Sequence, residues 1–353
     1  MPPAESSIRD DPEFRALCAL SAELGRNPLR TQAAGGNTSL KRDGTLWIKA
    51  SGTWLADAER RDIMVPVPLD ALRSGKAASP AAGSGLRPSV ETPVHAVIPG
   101  DVVVHIHCVA TLALAVRKDA EAQLAARLAG LEGVRFAFLP YIHPGLPLAD
   151  AIAALTGKPN VIVLGNHGLV VAAATVVEAR ALVVRVCAAL EAPRRRGGLA
   201  DRAGLQRLAA GSAYRLPYDP LAHDVATDAH SLAIARRGTL YPDHVVFLGS
   251  GVFVAAGGES ATTAAQRLAG AGQALPPMLV FPGRGVLLRR DVPHGADDLA
   301  RALAEVTAHI PPDTAVNCLT AAEEAALTNW DAEAYRLSLA RVQSDAGGTP
   351  DGN

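Results

Sequence analysis

The chain has 353 residues, enough for two ordinary domains and more than one small core requires. Lys and Arg number 34 against 35 Asp and Glu, a formal net charge of -1, so no global field draws the protein to nucleic acid or an anionic membrane, and a small molecule or a protein is the expected partner. Cys18, Cys108, Cys187 and Cys318 form no CxxC pair, the polar start MPPAESSIRDDPEF lacks the features of a secretory leader, and no apolar run reaches the roughly 20 residues that span a bilayer, so a reducing cytoplasm is the expected location.

Residues 11–26, DPEFRALCALSAELGR, place Phe14, Leu17, Cys18, Leu20 and Leu24 at helical spacing, and Gly25, Asn27 and Pro28 stop the helix. NTSLKR and TLWIKAS read as strands joined at Asp43-Gly44, a hairpin signal. Just before them, AAGGNTSLKR has the composition of a backbone cradle for an anion: Gly35 and Gly36 permit close approach, and Asn37, Thr38 and Ser39 offer donors. No G-K-[ST] follows in register and no GxGxxG opens a helix, which excludes a Walker loop and a dinucleotide fingerprint. Ser51 and Gly52 in KASGTWL, and Ser89 further on, add hydroxyl and amide donors, and together these groups can hold a phosphate. Residues 75–89, rich in Gly, Pro and Ser, read as a loop, and VETPVHAVIP as a helix with Pro93 in its first turn. Glu91 at the start of that helix is either a partner of the helix dipole or an acid/base group. His95, four residues on, shares its face.

DVVVHIHCVA reads as a strand. Residues i and i+2 of a strand share a face about 7 Å apart, so His105 and His107 are either hydrogen-bonded core groups or two ligands converging on one ion. A third histidine, His167, sits where the apolar run VIVLGNHGL breaks into a polar tip. Three histidines make a metal site with an open position, and a glutamate beside such an ion is the natural proton carrier next to a polarised carbonyl. Cys108 points away from His107 and reads as core.

Further on, TLALAVRKD and AEAQLAARLAGLEG read as helices, VRFAFLP as a strand, LADAIAALTG as a helix, NVIVLGNHGLVVAA as a strand pair and TVVEARALVVRVCAALEA as a long helix. The charged, Gly-rich break PRRRGGLADRAG sets a boundary between a domain over residues 1–198 and a smaller α/β region over 199–353; Arg194 to Arg196 read as a solvated helix end, with a phosphate or nucleic-acid contact as the alternative. Past it, HVVFLGSGVFVAAG and PPMLVFPGRGVLLRRDV read as strand pairs, and DDLARALAEVTAHI and AAEEAALTNWDAEAYRLSLARV as helices. His143, His223, His230, His244, His294 and His309 lack ligand spacing and read as structural or surface residues.

The pieces GGNTSLK, KASGTWL, PSVETPVH, VVVHIHCV, PYIHPGLPLADAI and GNHGLVVAAATVVEA, in this order between residues 12 and 192, resemble the class II aldolase and adducin family, and within it the fuculose- and rhamnulose-phosphate aldolases. The resemblance implies a three-layer α/β/α fold around a mostly antiparallel sheet, assembled as a homotetramer with active sites at subunit interfaces. It implies His105, His107 and His167 as ligands of Zn2+ or another divalent ion, and Glu91 as an acid/base that can also touch the metal. Gly36, Asn37, Ser51, Gly52 and Ser89 would line the pocket for a substrate phosphate. The implied activity is reversible aldol cleavage of a sugar or sugar phosphate through a zinc-stabilised enediolate.

Epimerases, dehydratases and decarboxylases of the same fold are the alternative within enzymes. Glutamate at position 91 resembles the aldolases and dehydratases more than the 4-epimerases, which tend to carry aspartate there. A non-catalytic adducin-like scaffold is the alternative outside them, and it has no physical need to bury three imidazoles together. Val90 stands where the small aldolases have a second serine before the glutamate, which leaves a carboxylate as an alternative to the phosphate. GTLYPDHVVFLG, LVFPGRGVLL and NWDAEAYR are similar to the region that follows the aldolase domain in bifunctional aldolase/short-chain dehydrogenases, although no nucleotide fingerprint is present. Tyr241, Asp243 and His244 are the conspicuous polar group of that region and read as turn residues.

Overall fold

The computed structural model describes residues 8–73 and 85–346, so most of the loop expected over 75–89 lies outside the described residues. The chain forms two compact units, Met1–Ala115 with Asp119–Glu191, and Val116–Lys118 with Ala192–Asn353.

The first unit opens with helix α1 (Pro12–Arg26). The Asp11 carboxylate caps it, accepting from the Glu13 and Phe14 amides at 2.7 and 3.3 Å, and Pro12 gives up an amide that would be orphaned there anyway. Strands β1 (Asn37–Arg42) and β2 (Thr45–Lys49) follow. Asp43 at φ 49° and Gly44 at φ 75° supply the two left-handed residues that a two-residue hairpin demands. Next come β3 (Met64–Pro68), α2 (Leu69–Arg73), α3 (Thr92–Val97), β4 (Val102–Ile106), α4 (Val109–Ala115) and α5 (Ala120–Leu128). The unit ends with β5 (Phe136–Leu139), α6 (Leu146–Ala153), the hairpin β6 (Val161–Leu164) and β7 (Gly168–Ala173), and α7 (Val176–Leu190).

The strands form one sheet in the order β3-β2-β1-β4-β7-β6-β5, antiparallel throughout except for the parallel pair β5–β6. Helices cover both faces, so the unit is the expected three-layer α/β/α arrangement on a mostly antiparallel sheet. On one face Val102, Val104 and Ile106 of β4 join Leu17 and Leu20 of α1 and Val183 and Val186 of α7 in the main core. On the other, Val103 packs with Val94 of α3 and Leu148 and Ile152 of α6. This alternation follows from the two-residue period of a strand.

The second unit contains α8 (Arg202–Ala209), β8 (Tyr214–Arg215), the short helices α9 (Asp224–Thr227), α10 (Ala229–Ala235) and α11 (Pro242–Leu248), β9 (Phe253–Val254) and α12 (Ala261–Gly270). It continues with β10 (Met278–Phe281), β11 (Gly285–Arg289), α13 (Ala296–His309), α14 (Ala321–Thr328) and α15 (Asp331–Ala346). Its sheet is smaller, in the order β8-β11-β10-β9. No helix among the described residues is long and apolar enough to cross a membrane.

Four local expectations change. Strand β4 stops at Ile106, one residue short of His107. The helix expected over TLALAVRKD stops at Ala115. HVVFLG is the helix α11, not a strand: Pro242 starts it, Gly249 at φ 86° ends it, and six of its seven side chains are buried, so the run shows no polar face from which a period could be read. The helix expected over AAEEAALTNWDAEAYRLSLARV is two, broken at Asn329 and Trp330.

Candidate metal centre

Two neighbouring ends of the central sheet bring the three histidines together. His105 lies in β4 directly opposite Asn37 of β1 and Val170 of β7. His107, just past the strand, is steadied through its carbonyl by Gln32 Nε2, which reaches it at 3.4 Å and the Pro28 carbonyl at 2.7 Å. His167 belongs to the turn between β6 and β7, where its amide donates to the Leu164 carbonyl at 3.1 Å and Asn166 takes a left-handed φ of 53°. Gly168 is required beside them. A Cβ there would stand 2.6 Å from the Ile106 carbonyl oxygen and 3.2 Å from the His105 ring.

The rings of His105, His107 and His167 meet edge to face or tilted, with centroids 4.9–5.5 Å apart. Nε2 of His105 and Nε2 of His107 are 3.2 Å apart. Two ligands of a tetrahedral ion bonded at roughly 2.0–2.1 Å stand about 3.3 Å from each other, so that spacing suits one ion. The ligand atoms of all three histidines fall within 4.8 Å of one another, and all three side chains are buried. This buried triad can hold a divalent metal.

Glu91 closes the group. Its carboxylate makes no capping bond to α3, so the dipole reading does not describe it; instead Oε2 lies 3.4 Å from His105 Nε2 and Oε1 3.5 Å from His167 Nε2. Asn37 Nδ2 donates to Oε2 at 2.7 Å and reaches Ser89 Oγ at 3.2 Å. Oε1 is buried and accepts no hydrogen bond among the described residues. A buried carboxylate oxygen left over beside three imidazoles is what a cation site presents before loading. Burial alone would raise the Glu91 carboxyl, but His105, His167, the Asn37 bond and His107 outweigh it and bring it down to about 2. Burial, against the pull of Glu91, holds His105 well below the usual imidazole range, so its ring is neutral as a ligand requires.

The expected phosphate donors fall into two groups. Gly36 and Asn37 are at the start of β1; Gly36 has φ 64°, and a Cβ on it would meet the His105 carbonyl at 2.8 Å. Ser89 is tied to them through Asn37 and receives the Glu91 amide at 3.3 Å. Ser51 follows the Ala50–Pro88 bridge, with its amide on the Arg87 carbonyl at 2.8 Å, and its hydroxyl makes no hydrogen bond among the described residues. Gly52 comes next, buried at φ 76°.

Some supporting residues were not singled out from the sequence. Lys49 is buried and donates to the carbonyls of Ala34 and Gly36 at 2.8 and 2.9 Å, bracing the glycine-rich loop. The available signal was a lysine inside a strand that is otherwise apolar. Ser39, expected as a donor to an anion, instead bonds His95 Nδ1 through its Oγ at 2.7 Å and so fastens α3 to β1. Cys108 is core as expected, with its thiol 3.4 Å from that of Cys187.

The profile of the class II aldolase and adducin N-terminal domain matches residues 15–192. Similar solved structures include the N-terminal class II aldolase domain of a conserved protein from Thermoplasma acidophilum, 26% identical, covering 51% of this chain and 92% of that one with a TM-score of 0.44. An aldolase II superfamily protein from Pseudomonas syringae is 22% identical, covering 53% and 77% with a TM-score of 0.41. A sugar-phosphate aldolase from Thermotoga maritima is 17% identical, covering 50% and 91% with a TM-score of 0.43. Among curated proteins none matches the chain.

Proposed function

Because the chain belongs to the class II aldolase and adducin family through residues 15–192, we propose that its histidine centre is that of a zinc-dependent aldolase acting on a sugar or sugar phosphate. The reading rests on one observation above the others: a buried glutamate stands within 3.5 Å of two imidazoles of a three-histidine cluster and is oriented by an asparagine. A scaffold gains nothing from such a group.

His105, His107 and His167 would hold the ion, which when bound supplies a Lewis acid for the negative charge that develops on a substrate oxygen. Glu91 is a carboxylate at neutral pH. In condensation the Glu91 carboxylate takes a proton from the carbon beside the substrate carbonyl and, once that carbon has bonded to the aldehyde carbon, gives it to the new alkoxide oxygen; in cleavage it takes the proton of that hydroxyl as the carbon–carbon bond breaks and the aldehyde leaves, and then returns it to the carbon left behind. Asn37 keeps Oε2 pointed at the cluster. Gly36, Asn37, Ser51, Gly52 and Ser89 take the substrate phosphate, and the active chain is a cytoplasmic homotetramer.

The test is metal analysis joined to a product assay. The purified chain should carry about one zinc per chain, elute as a tetramer in light scattering, and release an aldehyde from one member of a panel of ketose phosphates. An isomeric sugar, a dehydrated product or carbon dioxide in place of the aldehyde would move the assignment to the epimerases, dehydratases or decarboxylases. No bound metal, and no activity on adding zinc, would sink the enzyme reading.

A further inference from the structure

The second unit contains a cavity of about 650 Å³ walled by the segment after Pro193, the start of α8 and the turn before α9. Three arginines, Arg194, Arg196 and Arg202, and two carboxylates, Asp224 and Glu305, stand in its wall together with His223. Both carboxylates are already consumed. Arg194 donates to Asp224 and to Glu305, each at 2.7 Å. Arg195, the middle of the basic triplet, turns to Asp228 at 2.9 Å. Arg196 and Arg202, in contrast, have no carboxylate partner among the described residues and are exposed.

His223 supplies the second observation. Its side chain is 1% exposed, and the Val286 amide donates to Nδ1 at 3.1 Å. Nδ1 is therefore an acceptor, and the neutral ring carries its hydrogen on Nε2. Burial first, and then Arg202, lower the pKa of this ring against the opposing pull of Asp224, which keeps it neutral. Nε2 has no hydrogen-bond partner among the described residues. The Nδ1 edge is turned to β11, where a Cβ on Gly285 would come within 2.6 Å of it; the opposite edge, with Nε2–H, is the one left for the cavity that the ring lines. A buried donor without an acceptor is costly and calls for one.

We propose that this cavity binds the phosphate group of a small metabolite, held by the guanidinium groups of Arg196 and Arg202 and by Nε2–H of His223. Guanidinium forks match the oxygens of a phosphate two at a time, and a neutral N–H adds a directed bond without adding charge. The volume is that of a small-molecule pocket. Leu199, fully exposed at the same wall, gives the carbon part of the ligand an apolar surface. The site lies wholly within the second unit and does not depend on the metal centre.

The experiment is a calorimetric titration of the full chain with inorganic phosphate and with glycerol phosphate, set against succinate. The double variant Arg196→Ala/Arg202→Ala should weaken phosphate binding tenfold or more, roughly what losing one or two charge-assisted bonds implies. Its melting temperature should stay unchanged, because neither arginine is in an ion pair among the described residues. Ser51→Ala, in the first unit, should leave this class of binding intact, and the Nε2–H proton resonance of His223 should shift when phosphate is added. Unchanged phosphate affinity in the double variant, loss of this binding in Ser51→Ala, a His223 resonance that does not move, or succinate binding as tightly as phosphate would each overturn the assignment.

Discussion

At the scale of single residues, Glu91 and its supports carry the strongest expectations. Glu91→Gln keeps the shape of the side chain and removes its proton chemistry; turnover should fall 10²- to 10⁴-fold, the range for a positioned acid/base, while metal content is largely retained. Kinetics and metal analysis on one preparation would separate the two, and an unimpaired rate would remove Glu91 from the chemistry. Asn37→Ala, which frees the carboxylate Oε2, should cost 10- to 100-fold in metal affinity or activity, roughly the effect of losing a group that orients a ligand. Gly168→Ala pushes a Cβ to 2.6 Å from the Ile106 carbonyl and should destabilise the fold by about 1–3 kcal/mol in denaturant unfolding, lowering metal content with it. The three histidines and Glu91 were legible in the sequence because chemistry dictates their types. Lys49 and Gln32 were not, and Ser39 was read as an anion donor, since their roles exist only through partners distant in the chain.

Individual elements depend on caps that can be tested one at a time. Asp11→Ala removes two hydrogen bonds from the start of α1 and should cost about 1 kcal/mol. Burial alone would raise the Asp11 carboxyl, but the Glu13 and Phe14 amides and Arg42 together lower it below its ordinary 3.8. The sign follows. The cap contributes fully above that ordinary value and its contribution is lost as the pH falls through the depressed one, so the stability difference between wild type and Asp11→Ala should close only in strong acid. A difference that grew on acidification would refute the cap. Long helices and hairpins with a polar face or a turn signal were readable. Helix α11 was not, because a run buried at six of its seven positions carries no readable periodicity, and the β-branched pair Val245-Val246 favours a strand until packing overrides it. The helix break at Asn329 and Trp330 escaped for a related reason, since both flanking segments are rich in good helix formers.

For the whole molecule, ligand linkage should affect the two units unequally. Stripping a divalent metal from the histidine triad with a chelator should lower amide exchange protection over residues 102–107 and 164–168, which bear the histidines, and leave β10 and β11 unchanged. A ligand present at a thousandfold its Kd stabilises by about 4 kcal/mol, enough to see, and a uniform loss across both units would contradict the localisation. Arg194→Ala should destabilise the second unit by roughly 3 kcal/mol, since it strands the buried Glu305 carboxylate and frees Asp224. The basic triplet was read from sequence as a solvated helix end. Two of its three arginines are instead internal ion-pair partners, a distinction that requires knowing where residues 224, 228 and 305 come to lie.

The sequence by itself determined the class of the first unit, its order of elements and the residues able to bind a metal, because residue type, short-range spacing and turn chemistry are local properties. Only the tertiary structure decided that His107, although past the end of its strand, still meets His105 and His167, and that Glu91 faces them instead of its own helix. It also decided that a His223 N–H and two arginines without partners among the described residues line one cavity. Those facts arise where segments far apart in the chain approach within a few ångströms, and burial there sets which polar groups must find a partner.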